Sequence, residues 1–350
     1  MNIVRVALAV PLPRFFDYLY SPDLTPIVGG RVLVPFGSQK RVGIVVDLPA
    51  SSDVAKEKLK PIIDVLDTES LFNSTTWDWL AWSANYYRAA LGDVLFQALP
   101  VKLRNGESAV KNDRTFWRIT GLGKQALESG ELKRAKKQIE ALNLLLMQDL
   151  EKGNNEISSA IWSALKGKDY VEEIIVPTEQ KSWQQALGDN PLVNLDNRLT
   201  LNKQQALAFS QLLFQEGFNV WLLEGVTGSG KTEIYLQYIE EVLKKGKQVL
   251  VLVPEIGLTP QTVRRFQARF NVEIDVLHSN LNDTQRLNVW ERARTGQSAI
   301  VIGTRSALFT QFSDLGLIIL DEEHDGSFKQ QDGWRYHARD LGIVLAQKLN

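Results

Sequence analysis

From Leu199 to the last residue, short apolar runs alternate with longer stretches of helical period. NVWLLE (219–224), QVLVLV (248–253), VEIDVL (272–277), SAIVIG (298–303) and GLIILD (316–321) read as strands. Between them TEIYLQYIEEVLKK, a segment opening at Thr259, and NDTQRLNVWERARTG read as helices. Such alternation predicts an α/β lobe, a parallel sheet with helices on both faces whose ligands gather at the carboxyl ends of the strands. Residues 3 to about 48 have a different texture. VRVALAV, FFDYLY, RVLVPF and RVGIVVDL are short β-rich runs cut by Pro and Gly, as in a small barrel or sandwich. A polar connection, SSDVAKEKLK, leads into TTWDWLAWSANYYRAALGDVLFQAL, which reads as one helix with aromatic residues along one face, either core or a platform for stacking bases. LPVKLRNGES closes this region.

Between about 113 and 176 the pattern becomes FWRIT, a short GLGKQALES helix, the periodic RAKKQIEALNLLLMQ and EISSAIWSALKG, and a final DYVEEIIVP strand. These elements suggest a winged-helix-like module, a type that serves protein contacts as often as DNA. The expected organisation is therefore a β-rich DNA-binding domain with its helix at 1–106, the winged-helix-like domain at 113–176, a polar linker at 177–198 and the α/β lobe at 199–350.

Composition narrows this little. Forty basic residues stand against forty-one acidic ones, so any nucleic-acid surface is a local patch. The absence of Cys excludes disulfides and thiolate metal sites within these 350 residues. The opening MNIVRVALAVPLPR is too short and too rich in Pro for a signal peptide, and no run is long enough to cross a bilayer. A cytoplasmic protein is the expectation.

The chemistry concentrates in WLLEGVTGSGKT, residues 221–232. It places Gly225, Gly228, Ser229, Gly230, Lys231 and Thr232 in the spacing G-x-x-x-x-G-K-[ST] directly after an apolar run. Glycines let backbone N–H groups face a phosphate chain, Lys231 reaches the β- and γ-phosphates, and the Thr232 hydroxyl ligates Mg²⁺. The helix that Lys231 opens adds its positive end. Some ninety residues on, LGLIILDEEH ends a strand in acids. There Asp321 is expected to hold the Mg²⁺ of ATP and Glu322 to position or deprotonate the attacking water.

LNKQQA (201–206), GVTGSGKT, LVPEIGLTPQ (252–261), GTRSALF (303–309), DEEH (321–324) and SFKQQDGWRYHARD (327–340) together resemble the replication-restart DNA helicases. VPLPRFFDYLY and RVLVPFG resemble the start of that family's DNA-binding domain. The resemblance implies a RecA-like first helicase lobe of DEAH-box type and an ATP-dependent 3′-to-5′ helicase that recognises stalled forks. Its implied partners are forked and single-stranded DNA, the 3′ ends of nascent strands, primosome proteins and single-stranded-DNA-binding protein, at the bacterial nucleoid. Gln205 matches a glutamine that contacts adenine, and the segments with LVPEIGLTPQ and Arg305 match ones that face single-stranded DNA. Phe16, Asp17, Gly37 and Lys60 stand where the family holds a 3′ terminus. Phe328, Lys329, Trp334, Arg335 and Tyr336, with Arg339, are expected to form an exposed loop that stacks bases, pairs with phosphates and couples DNA to hydrolysis. Family members continue into a zinc-binding cysteine region, a second lobe and an arginine finger. None of that follows Asn350, so the chain is expected to be a truncation that is not helicase-competent alone. Two other readings stand beside this one: a translocase subunit of a restriction or DNA-uptake system, and a non-catalytic DNA-end-binding scaffold.

Overall fold

A computed structural model describes residues 2–10, 12–108, 114–130, 132, 135–152, 157–176, 180–213, 217–226 and 228–350. The chain forms two compact units, one made of Met1–Ala109 with Lys181–Asn350 and the other of Val110–Gln180.

The first unit begins with β1 (Ile3–Ala7), β2 (Phe16–Leu19), β3 (Arg31–Phe36), β4 (Gln39–Asp47) and the short β5 (Asp64–Val65). They form an antiparallel sheet in the order β2-β1-β4-β3-β5. Strand periodicity puts Val4, Val6, Tyr18, Val32, Val34 and Val45 into one buried cluster. The free edge of β2 is covered by the segment entering β5: Leu19 donates to the Lys60 carbonyl at 2.9 Å, and Ile62 donates to the Leu19 carbonyl at 2.8 Å. The sheet is thereby wrapped into a small barrel, in line with the sequence pattern, and its edge groups find partners. Gly37 makes the β3–β4 turn with φ of 60°, a left-handed geometry that suits glycine.

The aromatic-rich stretch folds as two helices, α1 (Ser74–Tyr86) and α2 (Leu91–Gln97), followed by α3 (Val101–Arg104). The single helix expected from periodicity is interrupted at Arg88, whose φ is 53°. The break lets α2 approach the chain after β1 so closely that a Cβ on Gly92 would stand 2.0 Å from the Leu8 carbonyl oxygen. Tertiary contact has here overridden local helix propensity.

The second unit contains β6 (Arg114–Ile119), α4 (Gly121–Glu128), α5 (Lys136–Met147), β7 (Leu150–Glu151), α6 (Ser159–Lys166) and β8 (Val171–Val176). Its antiparallel sheet has the order β7-β6-β8, and the helices bury Ala126, Leu142, Leu145, Trp162 and Leu165 in its own core.

The first unit resumes with α7 (Trp183–Leu187), α8 (Lys203–Leu213), α9 (Lys231–Lys244), β9 (Gln248–Leu252), α10 (Pro260–Arg269), β10 (Ile274–Leu277), α11 (Asp283–Arg294), β11 (Ile300–Gly303), β12 (Leu315–Leu320) and α12 (Ala338–Leu349). The sheet is parallel throughout, in the order β10-β11-β9-β12. β9 is buried on both sides, with Leu250 and Leu252 facing the cluster that contains α11 and α12, and Val249, Val251 and Val253 facing the one that contains α9 and α10. Two expectations fail in this region. NVWLLE is not a strand: β12 ends the described sheet, no described strand pairs with 219–224, and Val220, Trp221 and Leu222 remain exposed. A strand requires a neighbour for its ladder, whatever its apolar content. The 177–198 stretch, expected as a polar linker, is partly built into the lobe. Ser182 and Gln185 form a capping box for α7, Trp183 is buried in the lobe's core, and Val193 pairs with Phe270. No helix among the described residues is long and apolar enough to cross a membrane.

Candidate nucleotide and DNA site

The carboxyl ends of the parallel strands carry the motifs. β9 runs into Pro254–Gly257, β11 into the turn Arg305–Phe309 and β12 into Asp321 and Glu322. Gly228 and Gly230 lie at φ of 81° and 82°, the left-handed conformations that curl the loop before α9. Lys231 is the first residue of that helix. Its Nζ turns back onto the loop, donating to the Gly225 carbonyl at 2.6 Å and to the Val226 carbonyl at 3.3 Å. Gln205 supports the loop from α8: its side-chain amide donates to the Ser229 carbonyl at 2.8 Å, while its oxygen accepts from the Asn202 backbone at 2.9 Å. A Cβ on Gly230 would meet that amide at 2.4 Å, so this position takes glycine for space as well as for φ.

The hydroxyl of Tyr235, one turn into α9, donates to Asp321 Oδ2 at 3.3 Å and also interacts with the Thr232 side chain. Burial, and then the negative charge of Asp321, push the phenol well above its ordinary value. Asp321 itself is raised by burial and by the adjacent Glu322. Thr232 and Asp321 thus supply a hydroxyl and a carboxylate around one shared phenol. Hard oxygen donors of this kind suit Mg²⁺, which takes few protein ligands and keeps its waters. Among the described residues no cluster of three or more His, Cys, Asp or Glu is arranged for a metal. Sequence reading missed Tyr235, although its place three residues after Thr232, on the same helix face, marks it. Glu322 adopts a φ of 50°, a conformation uncommon for a non-glycine residue, and leaves its side chain exposed at the mouth of the site.

The segment after Glu322 does not form the exposed platform expected. Phe328, Trp334 and Tyr336 are 0%, 2% and 3% exposed. Trp334 and Tyr336 pack on each other at 4.7 Å and on Phe309 at 5.3 and 5.0 Å, and Phe309 meets Trp79 of α1 at 5.7 Å. The rings are core, and their faces are not open to bases. Burial raises the Tyr336 phenol to about 12. Arg305, expected at DNA, donates through Nη1 to the carbonyls of Ser327 and Lys329 at 2.8 Å each. It clamps this loop. Lys329 donates to the Arg335 carbonyl at 2.6 Å and lies 5.4 Å from the ring centre of Tyr87, while the Tyr87 hydroxyl accepts from the His337 backbone at 3.2 Å. Arg339 pairs with Glu323 at 2.9 Å, and the Arg335 side chain is exposed. Within this unit the loop is therefore a bracket between the strand that carries Asp321 and the helix α1.

In the barrel, Phe16 meets Phe36 edge-on at 5.2 Å, and Gly37 follows Phe36. Asp17 is engaged rather than free. Arg5 donates to both of its oxygens, at 2.8 and 3.0 Å, and Ser52 donates to one at 2.6 Å. The Arg5 hydrogen bond, outweighing burial, holds the carboxyl below the usual range. Asp17, expected at the 3′ terminus, is thus an acceptor held by two neighbours, and sequence reading missed Arg5 and Ser52. Lys60 is exposed on the segment that covers the β2 edge.

The parallel sheet with its P-loop and strand-end acids defines a nucleotide-binding lobe of the DEAD/DEAH-box helicase class: that domain family matches residues 202–348, and a family described as the 3′DNA-binding domain of PriA matches residues 5–100. Over its whole length the chain is similar to replication restart proteins named PriA. It is 76% identical over its full length to the Haemophilus influenzae protein of that name, covering 48% of that protein. To the PriA of Buchnera aphidicola from Acyrthosiphon pisum it is 36% identical, over 99% of the chain and 47% of the relative. To that of Bacillus subtilis it is 30% identical, over 99% of the chain and 52% of the relative. The chain spans about half the length of these curated relatives.

Proposed function

We propose that this chain is the nucleotide-binding and DNA-end-binding half of an ATP-dependent DNA helicase that restarts replication at stalled or repaired forks. The observation that carries the reading is the placement, in one compact unit, of the P-loop and Asp321–Glu322 pair beside a barrel of the 3′-DNA-binding type. In the nucleotide site, the backbone N–H groups of 228–232 and the Lys231 ammonium would take the β- and γ-phosphates once Lys231 leaves its loop carbonyls. Thr232 and Asp321 would hold Mg²⁺, which supplies charge neutralisation at the phosphates. Tyr235 keeps Thr232 and Asp321 in register, and Glu322 takes the proton of the attacking water. Gln205, hydrogen-bonded to Ser229 and Asn202, would turn its amide to the adenine when nucleotide enters.

In the barrel, Phe16 offers an aromatic face to a terminal base, Asp17 an acceptor held charged by Arg5, and Lys60 a cation for phosphate. Gly37 leaves open space at the hairpin tip. The unit built from Val110–Gln180, with three helices on a three-stranded antiparallel sheet, is winged-helix-like in this proposal. The strand-end segments 252–261 and 303–309 would face single-stranded DNA, with Arg335 exposed to reach a phosphate. A second lobe with an arginine finger would complete the motor, primosome proteins and single-stranded-DNA-binding protein would be its partners, and the cytoplasmic nucleoid its setting. The test is fork binding at fixed salt with free and with phosphorylated 3′ ends. A site that hydrogen-bonds the terminal hydroxyl should bind the blocked end at least about tenfold more weakly. Equal binding of the two forks would refute the DNA-end assignment.

A further inference from the structure

Beside the barrel, but apart from Phe16 and Asp17, lies a cavity of about 350 Å³ walled by Arg41, Asp93, Phe96, Gln97, Arg104 and Asn105. Its volume falls within the range of small-ligand pockets. The Arg41 guanidinium lies 5.5 Å from the centre of the Phe36 ring, and Phe36 is the ring that meets Phe16. Arg41 thus links this cavity to the Phe36–Phe16 pair of the proposed 3′-end pocket.

The polar groups around it are under-used. Arg104 donates from Nε to the Leu99 carbonyl at 2.7 Å and from Nη2 to the Gln97 carbonyl at 3.1 Å, which fixes its plane and leaves Nη1 unengaged. Asp93, on the first turn of α2, has no hydrogen-bond or ion-pair partner among the described residues, and burial alone raises its carboxyl. The side-chain amides of Gln97 and Asn105 likewise have no hydrogen-bond partner there. Folding explains the Arg104 contacts but not the convergence of a second guanidinium, a lone carboxyl and two amides on one hollow that also meets Val42 and Phe96. Asp93, Gln97 and Arg104 are half-buried while Arg41 and Asn105 are exposed, so a ligand entering here exchanges water for its own partners at these groups.

We propose that this cavity is a second nucleotide subsite, which takes one unpaired nucleotide of a DNA strand held by the same barrel. The proposal rests on the DNA-binding reading of the barrel and adds a site to it. Arg41 and Arg104 pair with the phosphate flanking that nucleotide, and the Arg41 plane also offers a stacking face. Asp93 accepts from an exocyclic amino group, with Gln97 and Asn105 completing the base edge. Cytosine, adenine and guanine carry such an amino group and thymine does not, so the subsite prefers amino-bearing bases. The Gln97 amide nitrogen lies 3.3 Å from where a Cβ of Gly333 would stand, which sets the cavity against the loop that Arg305 clamps.

The experiment measures binding of short single-stranded oligo-dC and oligo-dT, with free and with phosphorylated 3′ ends, to the parent chain, Asp93→Ala and Arg41→Gln. Asp93→Ala should lower oligo-dC affinity about tenfold and leave oligo-dT within about twofold. Arg41→Gln should weaken both and reduce the salt slope of binding by about 0.7 to 1. Asp93→Ala should keep the parent's ratio of free-end to blocked-end affinity, because Asp93 lies outside the terminal pocket. A photoactivatable iodo-pyrimidine strand should cross-link to the Phe96–Asn105 segment of the parent. Parent-like binding of oligo-dC by Asp93→Ala, or cross-links confined to the Phe16 and Phe36 region, would overturn the subsite. Indifference of the parent to the 3′ block would instead count against the terminal pocket, and these comparisons would still read the cavity.

Discussion

Arg305 gives the sharpest local test of how the loop after Glu322 is held. Its guanidinium donates to the carbonyls of Ser327 and Lys329, and replacing it with Met keeps much of the stem while leaving both carbonyls without that donor. A hydrogen bond to a charged group contributes about 1.5–3 kcal/mol. Two such bonds from one half-exposed side chain, discounted for solvent and for its buried Nε that has no partner among the described residues, leave about 2 kcal/mol. That free energy is local, since Trp334 and Tyr336 retain their packing against Phe309. Amide hydrogen exchange should therefore accelerate about 30-fold across Phe328–Tyr336, where Phe328 donates to the Asp325 carbonyl and Gln330 to the Tyr336 carbonyl. The amides of β9 and β11 should stay at the parent rate. Unchanged exchange in the loop would refute the clamp, and equal acceleration in β9 would show that Arg305 supports the whole lobe instead.

Tyr235→Phe removes the hydroxyl between Thr232 and Asp321 while keeping the ring on Phe266, so the fold should persist and the Mg²⁺ needed for half-maximal nucleotide binding should rise about three- to tenfold; an unchanged requirement would exclude the phenol from the site. Asp17 carries a linkage prediction. Its folded carboxyl titrates below the usual aspartate range, so its stabilisation is complete above that range and is lost as pH falls through the lower folded value. Asp17→Asn should cost on the order of 1 kcal/mol at neutral pH, and denaturant midpoints of parent and variant should converge on acidification below that range; a constant gap would contradict the Arg5 pairing.

The parallel lobe was legible because four of its strands are apolar runs that end at recognisable chemistry, and period and motif pointed to the same layout. The P-loop glycines were legible for the same reason, and their φ values follow from the turn they make. What escaped was non-local. The polar surroundings of Trp334 and Tyr336 suggested exposure, but their partners Phe309 and Trp79 lie far back in sequence, and no window shows that. NVWLLE has strand composition without a strand partner, whereas the supposed linker hides Trp183, one large apolar side chain with a capped turn behind it. The engagement of Asp17 was not legible because Arg5 reaches it only through β1–β2 pairing.

The central claim is that Lys231 and Asp321 belong to one working nucleotide site. A titration of fluorescent ATP analogue with Mg²⁺ into the parent chain, Lys231→Ala and Asp321→Ala tests it most directly, with circular dichroism to verify the fold. The account predicts saturable binding by the parent and at least about a hundredfold loss in Lys231→Ala. Asp321→Ala should keep weak binding that no longer responds to Mg²⁺. Equal affinity in all three folded proteins would contradict the account.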